Sequence, residues 1–125
     1  MARVLLIDDD DLLVELVRYT LEAHGHEVLT APDGTRGLAL LDREGVDVIV
    51  LDGILPGLDG LEVLKRLRSE PRTAGIPVLM LSARREDRDV LGGLSMGADD
   101  YLTKPFIPEE LAIRVDRMLA RQPSA

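Results

Sequence analysis

The sequence predicts an α/β fold, a single domain in which helices cover both faces of a five-stranded parallel sheet. Short apolar runs of strand character alternate with segments of helical periodicity five times along the chain. Two of the runs, Val48–Leu51 and Ile76–Leu81, are continuously apolar, as expected of strands that are buried on both faces. The chain has 125 residues, a length that fits one domain with its own core.

The first half of the chain contains three of the predicted strands and two of the predicted helices. The strands are Arg3–Ile7, Glu27–Ala31 and Val48–Asp52. Apolar residues at helical spacing predict a first helix that follows an N-cap at Asp10 or Asp11 and ends near His24. The second helix, Thr35–Glu44, follows the turn residues 32–34.

The second half supplies the remaining strands and helices. The predicted elements are helix Leu61–Ser69, strand Ile76–Leu81, helix Glu86–Met96, strand Tyr101–Thr103 and helix Pro108–Ala120. Lys65, Arg66 and Arg68 are predicted to lie on the outer side of their helix. Two glycines inside the fourth helix, Gly92 and Gly93, each cost about 1 kcal/mol, so this helix is expected to be the least stable. The domain is predicted to cover residues 1–121, and residues 122–125 form a tail or the start of a linker.

Composition and charge argue against several classes of function. The net charge is −8 and only three residues are aromatic, so the chain lacks the basic surface and stacking residues of nucleic-acid binders. No apolar run reaches the roughly 18 residues of a membrane span, and the N-terminus does not resemble a signal peptide. The absence of cysteine rules out disulfides and thiol chemistry and fits a cytoplasmic location.

Polar side chains follow four of the five predicted strands. Asp8 and Asp9 follow the first strand, Asp52 ends the third, Ser82 follows the fourth and Lys104 follows the fifth. In a parallel sheet these positions lie at one edge, where ligands of open α/β sheets bind. Carboxylates that lie close together raise one another's pKa, and a cation relieves that repulsion. Oxygen ligands without histidine or cysteine indicate a hard divalent ion, and Mg²⁺ is favoured.

The lysine and the hydroxyl at this edge predict that the site also holds a phosphoryl group. Lys104 and the metal would neutralise the phosphoryl oxygens, and Ser82 would donate a hydrogen bond to them. An aspartate carboxylate can itself be the nucleophile, and Asp52, between a buried strand and a glycine-rich turn, is the candidate. His24 and His26 flank a helix C-terminus, where a cation is favourable, and are interpreted as structural.

Taken in order, these residues resemble a known family. Over residues 2–121 the chain is similar to the receiver domains of bacterial two-component response regulators. The resemblance is carried by Asp8–Asp9, the LDGILPGLDG segment around Asp52, the LSA segment with Ser82, the GADDYLTKPF block with Tyr101 and Lys104–Pro105, and the PEEL segment that opens the last helix.

The resemblance implies a flavodoxin-like, doubly wound sheet with strand order 2-1-3-4-5 and five helices. It implies that Asp52 accepts a phosphoryl group from a histidine kinase or a histidine phosphotransfer protein. Mg²⁺ would be held by Asp9, Asp52 and the backbone carbonyl of Ile54, and Asp8 would act through a water molecule.

The resemblance also implies a switch. Ser82 and Lys104 would bind the phosphoryl oxygens, and Tyr101 would turn inward as Ser82 moves. The face formed by the fourth helix, the fifth strand and the fifth helix would change in response, and it is also where a homodimer is expected. The Lys104–Pro105 peptide bond would be cis. The chain would then catalyse only its own phosphorylation and dephosphorylation and would not be an enzyme for a separate substrate.

Three positions depart from the family pattern. Gly53 stands where a larger side chain is common, so the loop after Asp52 is expected to be more mobile. Ile107 stands where a capping residue is common, so the last helix loses a cap worth about 1 kcal/mol. Val90 removes one charge of a pattern for dimerisation that Asp99 or Asp100, Glu110 and Arg114 otherwise match, which puts a dimer of that type in doubt.

Three other functions compete with this interpretation. A phosphatase of the haloacid-dehalogenase kind also uses an aspartate and Mg²⁺, but it needs a second acid at the position of Ile54. A dinucleotide-binding enzyme needs a glycine-rich turn after its first strand, and the four aspartates there would repel pyrophosphate. A degenerate receiver that acts only as an interaction module would not need the intact set of acids, serine and lysine.

Overall fold

The structure is a computed structural model that describes residues 2–82 and 97–121. Its strands are β1 Arg3–Ile7, β2 Glu27–Ala31, β3 Val48–Asp52, β4 Val78–Ser82 and β5 Asp100–Thr103. Its helices are α1 Asp11–Ala23, α2 Gly34–Arg43, α3 Gly60–Ser69 and α4 Pro108–Ala120. The helix predicted at Glu86–Met96 lies outside the described residues, so α4 is the helix that the sequence places last.

The five strands form one parallel sheet in the order β2-β1-β3-β4-β5. The predicted fold class is therefore confirmed. Because every pairing is parallel, the carboxyl ends of all five strands lie at the same edge. The Lys104–Pro105 peptide bond that follows β5 is cis, as the resemblance implies.

The core has two halves, one on each face of the sheet. Side chains alternate along a strand, so Val4 and Leu6 point to one face while Leu5 and Ile7 point to the other. The first pair packs in a cluster with residues of α1 and α4, and the second pair packs with residues of α3. Every residue of β3 and β4 is buried. This is the two-sided burial that the continuously apolar runs predict.

The helix starts follow local hydrogen bonding. The Asp10 side chain accepts from the amides of Leu12 and Leu13, so Asp10 is the cap of α1 and Asp11 belongs to its first turn. Asp33 caps α2 through the Arg36 amide, so this helix starts at Gly34, one residue earlier than predicted.

Strand β4 begins two residues later than predicted. The carbonyl of Ile76 accepts a hydrogen bond from Arg68, and Pro77 has no amide to donate to a neighbouring strand. Regular pairing therefore begins with Val78. In the part of the chain that the structure describes, no helix has the length and apolar character needed to cross a bilayer.

Candidate functional site

Strands β1 and β3 place two aspartates side by side. Asp8 directly follows β1, and Asp52 is the last residue of β3. The two strands are neighbours, and their register pairs Ile7 with Leu51, so the next residue of each strand is an aspartate. Both side chains are buried. The backbone amide of Asp10 donates to Oδ1 of Asp8 over 2.9 Å and fixes that carboxylate.

The Lys104 side chain lies between the two carboxylates. Its Nζ donates to Oδ2 of Asp8 and to Oδ2 of Asp52, with both distances equal to 3.1 Å. The backbone positions this residue, because its amide donates to the carbonyl of Ser82 over 2.8 Å and so extends the pairing of β4 with β5. Sequence positions that are 96 and 52 residues apart from Lys104 therefore meet in one contact.

The donor atoms at this edge fit a divalent cation. Carboxylate oxygens of Asp8, Asp9 and Asp52 all lie within 4.8 Å of one another. Asp9 is exposed, so an ion could reach the cluster from solvent. Among the described residues, Lys104 is the one cation that contacts these acids, so the described cluster keeps an excess of negative charge. A set of oxygens alone is the donor set of Mg²⁺ or Ca²⁺.

Burial makes the charge imbalance costly for Asp52. Burial raises its pKa first of all, and the charge of Asp8 adds to the increase. The amide of Ile54, which donates to Oδ1 over 3.1 Å, and the Lys104 ammonium oppose the increase without cancelling it. Burial also lowers the pKa of Lys104, but the charges of Asp8 and Asp52 outweigh that effect and raise it, so the lysine stays a cation.

Ser82 lies at the end of β4, next to the residue that follows Asp52. Its side chain is buried, and the amide of Gly53 donates to the carbonyl of Leu81 over 2.7 Å. A methyl group on Gly53 would lie 3.4 Å from Cβ and 3.5 Å from Oγ of Ser82, so the serine side chain borders the loop that follows Asp52.

Tyr101 lies on β5 and is half-buried. It packs on the same core cluster as α3 and is paired in register with Met80. Ile54 contributes its amide to Asp52, and its own side chain is exposed. The structure thus brings Asp8, Asp9, Asp52 and Lys104 together, with Ser82 and Ile54 adjacent, while Tyr101 lies on the neighbouring strand. The roles that the resemblance implies for these residues stay predictions.

Known proteins fit this arrangement. The family model described as the response regulator receiver domain matches residues 4–116. The chain belongs to this family. It is 46% identical over 119 residues to the alkaline phosphatase synthesis transcriptional regulatory protein PhoP of Bacillus subtilis, an alignment covering 95% of this chain and 49% of that protein. It is 49% identical over 121 residues to the DNA-binding dual master transcriptional regulator RpaA of Synechocystis, covering 97% of this chain and 50% of that protein.

Solved receiver domains share the fold closely. The receiver domain of the Francisella response regulator 1452 superposes with a TM-score of 0.91 and 39% identity, covering 97% of this chain and 98% of that chain. By contrast, the chain spans about half the length of the curated relatives it matches. The resemblance to two-component response regulators is therefore confirmed at the level of the receiver domain.

Gly60 has a structural role in this receiver domain that the sequence indicated only as part of a glycine-rich turn. A methyl group at Gly60 would overlap the carbonyl oxygen of Asp52 and the backbone of Gly53. The Gly60 amide donates to the Gly53 carbonyl over 3.2 Å. The glycine therefore lets the first turn of α3 approach the end of β3 and hold the backbone on either side of the acid.

Proposed function

We propose that this receiver domain is a phosphorylation-activated switch in which Asp52 accepts a phosphoryl group from a histidine kinase or a histidine phosphotransfer protein. The observation that carries the proposal is the contact of Lys104 with Asp8 and Asp52. A lysine held between two buried carboxylates at the ligand-binding edge of the sheet lies where it can meet the oxygens of an incoming phosphoryl group.

The chemistry at Asp52 is a group transfer between two protein side chains. A carboxylate oxygen of Asp52 attacks phosphorus, and the bond between phosphorus and the donor's imidazole nitrogen breaks. The electron pair of that bond stays on the imidazole, which takes up a proton from solvent. The raised pKa of Asp52 makes its carboxylate a poorly stabilised anion and hence a competent nucleophile.

We assign the cation to Asp8, Asp9, Asp52 and the backbone carbonyl of Ile54, and we assign Mg²⁺ as the ion. Bound there, Mg²⁺ would neutralise charge that builds up on the phosphoryl oxygens. Support comes from the oxygen-only donors and from the excess of negative charge among the described residues of the cluster.

Lys104 and Ser82 would hold the product. The aspartyl phosphate carries a charge of about −2 beside the Lys104 ammonium. Lys104 would then exchange its contact with the Asp52 carboxylate for a phosphoryl oxygen, and Ser82 would donate to another. Movement of Ser82 would let Tyr101 turn inward, which shifts a pre-existing equilibrium of the neighbouring surface.

The surface that responds contains β5, α4 and the predicted helix at Glu86–Met96, of which the last lies outside the described residues, as does Val90. On the described part, Arg114 contacts Asp100 over 2.9 Å and Glu110 over 3.3 Å, while Asp99 contacts Arg68 over 2.9 Å. The charges of the dimerisation pattern are therefore paired within one chain. A homodimer through this face would exchange these pairs for intermolecular ones.

The remaining assignments follow from the family and the charge. We propose that the receiver domain covers residues 1–121, with residues 122–125 as a tail or the start of a linker, and acts in the cytoplasm. We extend to it the role in transcriptional regulation that the names of its relatives state. With a net charge of −8, the chain itself would contact proteins and not nucleic acid, and it would turn over no separate substrate.

Labelling with a small phosphodonor tests the proposal. Acetyl phosphate with Mg²⁺ should add one phosphoryl group, measured by intact mass, and chelation of the metal should prevent it. Asp52→Asn should remain unlabelled. Asp42→Asn is the matched control, because Asp42 is an exposed acid paired only with Arg72 among the described contacts, and it should be labelled like the wild type.

Other outcomes separate the competing functions. Labelling that persists in Asp52→Asn would place the acceptor elsewhere. Steady release of phosphate from a phosphate ester would favour a phosphatase of the haloacid-dehalogenase kind. A wild-type chain that is never labelled, by acetyl phosphate or by a kinase, would be a degenerate interaction module.

A further inference from the structure

A second cluster of ionisable groups joins the end of α1 to α4. His24 is the C-cap residue of α1, and its Nδ1 lies 2.8 Å from Oδ2 of Asp116 while its Nε2 lies 2.6 Å from Oε1 of Glu109. Nε2 of His26 lies 2.6 Å from Oδ1 of Asp116. Helix α1 begins beside the acid site and has 13 residues, so the cluster lies about 20 Å away along its axis.

The hydrogen bonds fix the protonation state of His24. An ionised carboxylate only accepts hydrogen bonds, so each ring nitrogen that contacts one must carry a proton. Both nitrogens of His24 contact carboxylates, and its side chain is therefore an imidazolium. His26 differs, because it contacts Asp116 through Nε2 while its buried Nδ1 has no hydrogen-bond partner among the described residues. The contact of His26 with Asp116 requires only a hydrogen on Nε2.

The electrostatics agree with this assignment. The hydrogen bond to Asp116, followed by that to Glu109, raises the pKa of His24 above its ordinary value of 6.5. Burial raises the pKa of Asp116, but the hydrogen bonds from His26 and His24 outweigh burial and lower it below 3.8. Among the described residues, the charged groups that face His24 are these two acids of α4, and His26 faces Asp116 from the segment before β2.

The first turn of α4 is anchored by the buried Leu111 and by the amides of Glu110 and Leu111, which donate to the carbonyl of Ile107, but it has no side-chain cap among the described contacts. Ile107 occupies the N-cap position and makes no side-chain cap hydrogen bond in the described structure. Glu109 lies in that first turn, and His24 is its hydrogen-bond partner. Residues 105–107 connect this turn to Lys104, which lies in the acid site.

We propose that this cluster is a proton-controlled clasp, in which the protonated His24 side chain holds the first turn of α4 against the end of α1 and loss of its proton releases that turn. Neutral His24 can donate to only one of the two acids. Asp116 keeps its bond from His26 in either case and is 43% exposed, whereas the Glu109 side chain is 58% exposed and can turn to water. Glu109 is therefore the contact that opens.

The pH dependence of stability follows from the directions in which folding shifts the pKa values of His24 and Asp116. Because the pKa of His24 is raised on folding, its contribution to stability is complete below 6.5 and is lost as the pH rises through the folded value. Because the pKa of Asp116 is lowered, its contribution is present above 3.8 and is lost as the pH falls through the folded value. The contact of His24 with Glu109 therefore opens on the alkaline side, as the pH rises through the folded pKa of His24.

Two measurements on the whole chain test the clasp without any phosphodonor, so their result is independent of the proposed function. In a titration followed by NMR of the imidazole nitrogens, one of the two histidines, identified with His24→Gln, should titrate above 6.5. Amide hydrogen exchange at Glu110 and Leu111, whose amides donate to the carbonyl of Ile107, should lose about two- to fivefold in protection across that transition after correction for the intrinsic rate, the range of a partly exposed ion pair.

Matched variants make the test specific. His24→Gln and Glu109→Gln should remove the pH dependence of protection in this turn. Glu110→Gln changes the neighbouring acid, whose described partner is Arg114, and should keep it. The proposal is overturned if His24 titrates at or below 6.5, if protection in the wild type does not change with pH, or if the dependence persists in His24→Gln.

Discussion

Strands β4 and β5 have a charged cluster at each end, and the two clusters differ in how well their charges are satisfied. At the amino ends, Arg68 donates to the carbonyls of Gly97, Ile76 and Ala74 and to the carboxylate of Asp99. That carboxylate also accepts from the amide of Val78, the first residue of β4. Arg68 and Asp99 are therefore paired with each other, and backbone carbonyls accept the remaining hydrogen bonds of Arg68.

At the carboxyl ends of the same strands the balance is different. Among the described residues Lys104 is one cation beside three carboxylates, and burial raises the pKa of Asp52. The first cluster is balanced within the protein, whereas the second, counted over the described residues, keeps an excess of negative charge that a cation would balance. The difference indicates that a candidate functional cluster can be told from a structural one by the charge that remains after pairing, and not by the number of contacts.

The largest change in stability is expected from a substitution at the amino ends of β4 and β5. Arg68→Ala removes five hydrogen bonds and leaves Asp99 and three carbonyls without their cation, so the free energy of unfolding should fall by about 3 kcal/mol. Urea unfolding measures it. Arg66→Ala on the same helix is the control, because Arg66 is 57% exposed and pairs with Glu62 at 3.7 Å; its loss should be about 0.5 kcal/mol or less. Equal losses would show that backbone pairing alone holds the amino ends.

The sequence could not predict this cluster. Arg68 lies on a helix with basic residues along one side and was expected on the outer side with Lys65 and Arg66. Its side chain is in fact only 20% exposed, since Gly97 and Asp99 reach it from about thirty positions further along the chain. The bonds of His24 to α4 span 85 and 92 residues and are equally absent from any local pattern. Contacts of this kind depend on loop paths, which composition and periodicity do not determine.

The cluster at the carboxyl ends of the strands could be predicted because the sheet topology determines which residues meet there. Once the continuously apolar runs are recognised as parallel strands, every strand must end at one edge, and the residues after the strands must meet. Asp8, Asp52 and Lys104 do meet, over 3.1 Å. What the sequence missed at this edge is the backbone: the Asp10 amide on Asp8, and the requirement for glycine at residue 60.

The protein should become more stable when the negative charge at the carboxyl ends of the strands is reduced. Asp52→Asn removes a buried anion beside Asp8, so the free energy of unfolding at neutral pH should rise by about 1 to 2 kcal/mol in the absence of metal. Asp42→Asn, at an exposed acid, should change it by less than about 0.5 kcal/mol. Because the pKa of Asp52 is raised, the advantage of the variant should shrink as the pH falls through the folded value.

Metal sharpens the same measurement. Saturating Mg²⁺ should stabilise the wild type more than Asp52→Asn, since a ligand that binds only the folded state adds its binding free energy. A variant less stable than the wild type without metal would mean that the bonds from Ile54 and Lys104 outweigh the repulsion at this edge, and the distinction between the two ends would fail.

The smallest expected change in stability concerns α4, the helix that follows Lys104 in the chain. Asp10 and Asp33 cap α1 and α2, but Ile107 leaves the first turn of α4 without a side-chain cap among the described contacts. Ile107→Ser would supply an acceptor in a backbone conformation that suits a cap, with φ −86° and ψ 129°. Because the isoleucine side chain is largely exposed, little burial is lost, and the free energy of unfolding should rise by about 0.5 to 1 kcal/mol.

The control for the cap is the same chemical change made inside the helix. Ile113→Ser also replaces an exposed isoleucine of α4, but the amides of that turn are already bonded, so stability should fall slightly by helix propensity. Equal effects of the two substitutions would show that the change in stability comes from removing an exposed apolar side chain and not from capping. A cap that stabilises the turn should also weaken its dependence on His24, because the turn then has a second support. The pH dependence of protection at Glu110 and Leu111 should therefore be smaller in Ile107→Ser than in the wild type. That result would show that protonated His24 supports a turn that lacks a side-chain cap.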